Sequence, residues 1–288
     1  MCAGLNMSTI AILGAGALGG ALAHKLAARG HVRSVRLIDP ASGVAAGKAL
    51  DILQSGPVER SDTRVTADNQ IDAVVGAAAV VLTGPAAGPD HDWEGEAGFE
   101  LLGRIAGLTG RTPILCAGAT QGALVADGIS LLGVDNRRLF GSAPGALVSA
   151  LRAHVAVEAR VSPGDVTINL LGIPPARPVV PWSSATIGGY PLEDRLSPPQ
   201  LARLRDRVSR LWPPGEYTLA SAAARIVEAV VNGGSQRTFT CFVGGDRGLA
   251  SHARSVGVTV GAGGIEEILT PRLSPLELVR LENALAAP

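Results

Sequence analysis

The sequence predicts an α/β fold whose first half is a doubly wound parallel sheet of the Rossmann type. Three observations carry that expectation. Short β-branched runs alternate with Ala- and Leu-rich helical stretches along the first half of the 288 residues, the pattern of a parallel sheet covered by helices. Gly14, Gly16 and Gly19 spell G-x-G-x-x-G between a strand and a helix. Asp39 follows about twenty residues later at the end of the second strand, the spacing of a dinucleotide-binding carboxylate.

Taken in order, Ile10–Leu13 reads as a buried strand, and Ala17 to Ala28 as a helix stopped by Gly30. Val32–Ile38 is the next strand. Ala41–Leu53 is a helix expected to end before Gly56-Pro57, because proline lacks the N–H that a helix interior uses. Val80–Thr83 and Ile114–Cys116 are strands followed by small-residue turns, and Arg138–Phe140 is a short strand running into Gly141. Beyond about residue 145 the pattern changes. Leu147–Ala159 is helical, Val166–Leu171 and Val179–Val180 are short strands, and Pro198–Leu211 and Tyr217–Val231 are helices. Thr238–Val243 and Val256–Val260 are strands, and Pro275–Ala286 is a closing helix. The division expected is residues 1–145 for the dinucleotide domain and 146–288 for the substrate domain.

Composition narrows the function classes. The chain is 47% hydrophobic but 3% aromatic, with 37 glycines, so its core is aliphatic. Its net charge is zero, which gives no long-range attraction to nucleic acid or anionic membrane. Lysine occurs only at positions 25 and 48. Cys2, Cys116 and Cys241 form no CxxC pair, which argues against a zinc site or disulfide framework and for a reducing compartment. No apolar run reaches the length of a membrane span, and a cytoplasmic location is expected.

In the glycine loop, Gly14 permits the tight turn, Gly16 lets the backbone approach a pyrophosphate, and Gly19 permits close helix–strand packing. Ala17 and Leu18 open the helix, where free N–H groups and the positive dipole end meet phosphate. A carboxylate at Asp39 accepts hydrogen bonds from ribose hydroxyls and repels a 2′-phosphate, so NAD is the cofactor expected.

With these residues the chain resembles the malate/lactate dehydrogenase family. Gly47–Pro57 (GKALDILQSGP), Val80–Gly84 (VVLTG) and Val260–Ile268 (VGAGGIEEI) carry the resemblance along most of the sequence. It implies that a Rossmann domain is followed by an α+β substrate domain, that Thr83 and Gly84 lie beside NAD, and that the protein is a homodimer or homotetramer. It also implies a catalytic His with its Asp partner, an Arg that clamps the substrate carboxylate, and basic residues in a mobile loop. Here those positions hold Pro174, Leu147 and Ala150, and no Lys or Arg occurs between Val65 and Gly103. The family's Thr-Asn-Pro after the fifth strand is Ala117-Gly118-Ala119. Ordinary malate or lactate turnover is therefore not expected.

The loop from Ala86 to Glu96 is acidic and carries His91, the best single candidate for acid–base chemistry near neutral pH. Asp90 and Asp92 are neighbouring alternatives, and Arg177 is a candidate replacement for part of the anion clamp. Two readings stand side by side: an NAD-dependent oxidoreductase with a different small-molecule substrate, and a catalytically inactive NAD-binding pseudoenzyme with a sensing or assembly role.

Overall fold

The computed structural model describes residues 8–87, 92–234, 237–245 and 252–286. Its first half alternates strand and helix: β1 (Thr9–Leu13), α1 (Ala17–Arg29), β2 (Ser34–Ile38), α2 (Ser42–Glu59), β3 (Arg64–Asp68), β4 (Ala79–Leu82), α3 (Gly95–Leu108), β5 (Ile114–Cys116), α4 (Gly122–Ser130) and β6 (Leu139–Gly141). The six strands are parallel in the order β3-β2-β1-β4-β5-β6. That is the strand order of the Rossmann fold, with the chain reversing direction across the sheet between β1 and β4. β1, β4 and β5 are buried along almost their whole length, as strands covered on both faces must be.

The second half opens with α5 (Ala143–Ala159) and continues through β7 (Val166–Thr167), β8 (Leu171–Ile173), β9 (Arg177–Val179), β10 (Thr186–Ile187), β11 (Tyr190–Pro191), α6 (Leu192–Arg195) and α7 (Pro198–Arg207). It closes with α8 (Glu216–Val231), β12 (Phe239–Val243), β13 (Arg254–Gly261), β14 (Gly264–Leu269) and α9 (Pro275–Ala286). β12 pairs antiparallel with β6 through Phe242 and Gly141, so the first sheet continues into this half as β12-β13-β8-β9. The main core likewise draws on α8, β12 and β13 as well as on the parallel strands. A second core gathers Leu147, Leu151, Leu170 and Trp182 beneath α7. Packing thus crosses the 145/146 division read from the sequence.

Two element expectations are corrected. α2 does not stop before Gly56-Pro57 but runs on to Glu59, ending at Arg60 in the left-handed region. Proline there forfeits one hydrogen bond on an exposed last turn rather than terminating the helix. The stretch Val166–Leu171 is not one strand: β7 joins a small sheet with β10, while β8 joins the large one.

α1 ends where Gly30 turns left-handed (φ 64°), its N–H reaching the Ala27 carbonyl. In its last turn Arg29 pairs with Glu228 of α8, donating from Nε to Oε1 and from Nη2 to Oε2 at 3.0 Å. Arg225 adds a contact to the same carboxylate at 3.3 Å.

α9 is docked by Glu277, 6% exposed, whose carboxylate accepts from Ser183 N and Ser274 N at 2.9 Å each and from both serine hydroxyls. Burial pushes this carboxyl up, but the Ser183 and Ser274 donors outweigh it and hold it at about 2. Because the folded value lies below the ordinary one, the carboxylate stabilises the fold above about pH 4.5, and that contribution fades as pH falls toward 2. Glu277→Ala is expected to cost about 2–3 kcal/mol at pH 7. Urea unfolding at pH 7 and pH 4 should show the penalty shrinking at the lower pH; an equal penalty at both would contradict the assignment.

Candidate functional site

The C-terminal ends of β1 and β4 lie side by side, and the crevice above such a reversal is where an open parallel sheet takes ligands. The turn after β1 is built on glycine by necessity. Gly14 sits at φ 108°, and a Cβ there would strike the Gly84 carbonyl and the Thr83 hydroxyl. A Cβ on Gly19 would strike the Gly14 carbonyl. Gly16 donates its N–H to Gly84 O at 3.0 Å, and a Cβ on it would stand 2.9 Å from the Gly84 and Pro85 carbonyl oxygens. Gly16, Ala17 and Leu18 then form one side of a cleft of about 320 Å³. The first N–H groups of a helix have no acceptor within it, so the opening of α1 presents donors and a positive dipole end to this space.

Asp39 is where the second strand ends, but it does not offer a free carboxylate edge. It is fully buried. Oδ2 accepts from Ala15 N at 2.7 Å and Ala86 N at 2.8 Å, and Oδ1 accepts from Ala41 N at 2.8 Å. Its role in this structure is to pin the glycine loop to the segment after β4, with both carboxylate oxygens engaged by backbone N–H donors. Lys48 completes the loop, donating from Nζ to Ala15 O at 2.7 Å and Gly16 O at 2.9 Å. Thr83 is also turned inward, donating to Leu13 O and Gly14 O at 3.0 and 3.1 Å, while Gly84 lines the cleft.

The opposite side of the cleft carries Asp92, Glu94 and Glu216, and among the described residues no Lys or Arg lines it. His91 and Asp90 lie outside the described residues. Asp92 is half-buried, and its Oδ2 accepts from Thr120 N and Thr120 Oγ1 at 3.1 Å each. Burial raises its carboxyl above the ordinary range; the Thr120 donors pull it down and Glu94 pushes it up again. Beneath it the Cys116 thiol is pushed up to about 12, by burial first and by the Asp92 charge second, so it stays a neutral core group.

Gln121, which the sequence reading missed, ties these pieces together. It is fully buried, donates from Nε2 to Thr83 O at 2.9 Å and Trp93 O at 3.1 Å, and accepts at Oε1 from Gly118 N at 2.8 Å. Trp93 N donates to Thr83 O at 2.8 Å. The end of β4, the base of the acidic loop and the turn after β5 are therefore one hydrogen-bonded unit. The only sequence signal was an amide side chain just before a helix, a weak one.

Arg177 is corrected. It lies in β9, at the edge of the sheet remote from β1 and β4, and lines a separate depression with Trp182, Arg205 and Arg280. The β8–β9 hairpin faces α9 rather than the cleft, and its turn contains the cis Pro174–Pro175 peptide. Leu147 is buried in the second core, and Arg152 donates to the Pro163 carbonyl at 2.9 Å. His154 stands beside Arg207 of α7 at 3.3 Å.

Residues 8–103 match the family model described as "lactate/malate dehydrogenase, NAD binding domain". The malate dehydrogenase of Chlorobium phaeobacteroides is 30% identical, with 96% of this chain and 94% of that protein covered. The malate dehydrogenase of a Roseiflexus species is 27% identical over 96% and 95%. Among solved structures, the lactate dehydrogenase of Cryptosporidium parvum complexed with lactic acid and nicotinamide adenine dinucleotide superposes with a TM-score of 0.84 at 24% identity, covering 96% and 94%. The malate dehydrogenase of Salinibacter ruber gives 0.82 at 23%, covering 96% and 93%. Strand order, glycine cradle and sequence kinship agree: the chain belongs to the lactate/malate dehydrogenase family, with residues 8–103 matching that family's NAD-binding domain.

Proposed function

We propose that the protein is an NAD-dependent oxidoreductase whose substrate is a neutral or cationic small molecule rather than a 2-hydroxydicarboxylate. One observation carries this reading: the described walls of the cleft bear three carboxylates and no cation. A dicarboxylate such as malate would enter against like charge, with nothing to clamp it. A protonated amine or an iminium would enter with the field. The position aligned with the family's catalytic Asp, Leu147, packs into an apolar core, in keeping with a site that has left the original reaction.

The cradle fits NAD. Gly14 and Gly16 let the loop close against the Gly84 and Pro85 backbone, which leaves the opening of α1 facing the cleft, and the N–H groups at Ala17 and Leu18 would hold the pyrophosphate. Bound there, NAD supplies a hydride acceptor or donor. The chain's own contribution is to hold the ring in a cleft of negative potential and to keep Asp39 locked beneath Ala86.

The test is a rate comparison. NADH with oxaloacetate or pyruvate, and NAD⁺ with malate or lactate, should turn over below about 0.1 s⁻¹, since a carboxylate substrate meets like charge with no Arg fork to position it, a loss of at least about 10² from an ordinary rate of about 10 s⁻¹. Primary and secondary alkylamines with NAD⁺ should do better than any of these acids. Oxaloacetate reduction at about 10 s⁻¹ would sink the proposal. Tight NAD binding with no turnover of either class would favour the second reading, the inactive NAD-binding protein, which the buried Leu147 also supports.

A further inference from the structure

The turn after β5 has a space that another part of the chain fills. A Cβ on Gly118 would coincide with the Asp92 carboxylate, which comes from the loop before α3 and settles over the bare glycine. Thr120, two residues on, clasps the same carboxylate with its N–H and its hydroxyl, both on Oδ2. Gln121 fixes the turn beneath and holds the Trp93 carbonyl next to Asp92. The result is a carboxyl group seated on the rigid end of a parallel strand, facing the opening of α1 across the cleft. The other two cleft carboxylates, Glu94 and Glu216, are exposed and have no such seat.

We propose that Asp92 is the catalytic acid–base of this site, exchanging with the substrate the proton that accompanies hydride transfer. The assignment rests on reading the cleft as an oxidoreductase site. On oxidation, the substrate C–H bond breaks and its electron pair leaves as hydride to NAD⁺. The N–H or O–H bond on the same carbon's heteroatom breaks too, its proton passing to an Asp92 carboxylate oxygen and its electron pair forming the C=N or C=O bond. Reduction runs the same transfers backwards from the protonated carboxyl. Oδ2 accepts from Thr120 N and Thr120 Oγ1, and the Ala119 N–H also acts on the carboxylate, so the turn after β5 holds the group in place. A carboxyl raised by partial burial suits the task, because it holds and yields a proton closer to neutral pH than an exposed one.

The charged group that acts on Asp92 is Glu94 on its own loop; Cys116 beneath stays neutral, and Glu216 is a further carboxylate lining the same cleft. This makes a readout independent of turnover available. NAD⁺ carries a positive nicotinamide ring and NADH a neutral one, so an ionised Asp92 favours NAD⁺. Calorimetry with NAD⁺ and NADH from pH 4.5 to 7.5 should show the NAD⁺-to-NADH affinity ratio rising about tenfold through one transition, an ordinary coupling for two partly desolvated charges. Asp92→Asn should abolish the transition. Glu94→Gln should keep it at a lower midpoint, and Thr120→Val should keep it at a higher one, because a donor to the carboxylate is lost.

If an alkylamine is turned over, Asp92→Asn should lower kcat by about 10²–10⁴-fold. An unchanged transition in Asp92→Asn, or its loss in Glu94→Gln instead, overturns the assignment. Loss of the transition in Asp92→Asn combined with failure of every amine would leave Asp92 in place and remove the cationic-substrate reading.

Discussion

Asp39→Ala is expected to lower global stability by about 3–5 kcal/mol and to abolish measurable NAD binding. The carboxylate is the shared acceptor for the N–H groups of Ala15, Ala41 and Ala86. Each buried donor left without an acceptor costs about 1–3 kcal/mol; the Ala15 N–H is fully buried, whereas Ala41 and Ala86 are half-buried and recover part of that loss from water. Such a loss is a large part of the roughly 5–15 kcal/mol that holds a domain of ordinary stability together. Asp39→Asn separates the two functions of the residue. Its single amide oxygen can still serve the Ala15 and Ala86 donors that share Oδ2, so about half of the stability should return. Urea unfolding and NAD calorimetry on the two variants check this. A stable Asp39→Ala protein would show that the pinning of the loop is unimportant.

The next largest effect is expected at Gly14. Alanine there must adopt φ 108°, a conformation that costs an L-residue about 1–3 kcal/mol, and its Cβ would drive into the Gly84 carbonyl for about 1–3 kcal/mol more. The neighbour that must yield is backbone, not a flexible side chain, so relaxation means moving the strand end itself. Gly14→Ala should therefore unfold roughly 4–24 °C lower by calorimetry, taking about 2–4 °C per kcal/mol for a chain of this size, and should lose NAD affinity with it. Gly43→Ala is the control: it lies on α2 with open space around its Cβ, and it should be neutral or mildly stabilising.

Much of the fold was legible because it is written in local pattern. β1, β4 and β5 are near-continuous apolar runs, and Gly14, Gly16 and Gly19 stand where backbone must touch backbone. What escaped was less periodic. β3 is an edge strand with an exposed arginine and only Val65 fully buried, and α3 begins in a glycine-rich acidic stretch that reads as loop. The site was legible only in part. That Asp39 follows the second strand could be read; that three N–H groups close over it could not, because Ala86 lies far along the chain. Asp92 was visible as one of several loop carboxylates, and nothing local distinguished it. Its seat depends on Gly118 and Thr120, which meet it only through the order of β4 and β5 in the sheet. Arg177 was misplaced for the converse reason: nearness to Pro174 in sequence says nothing about which way a hairpin faces.

The contact of Arg29 and Arg225 with Glu228 ties together the far ends of α1 and α8, two helices that also pack against each other in the main core. Both helices begin at the cleft, one with Gly16 to Leu18 and the other with Glu216, and both are joined near their far ends at one nearly buried carboxylate. With the joint about 20 Å from the tips, at 1.5 Å per residue along α1, a swing of only about 3° moves the tips by about 1 Å. The spacing of the two helix starts that line the cleft thus depends on packing along α1 and α8 and on a carboxylate outside the cleft lining.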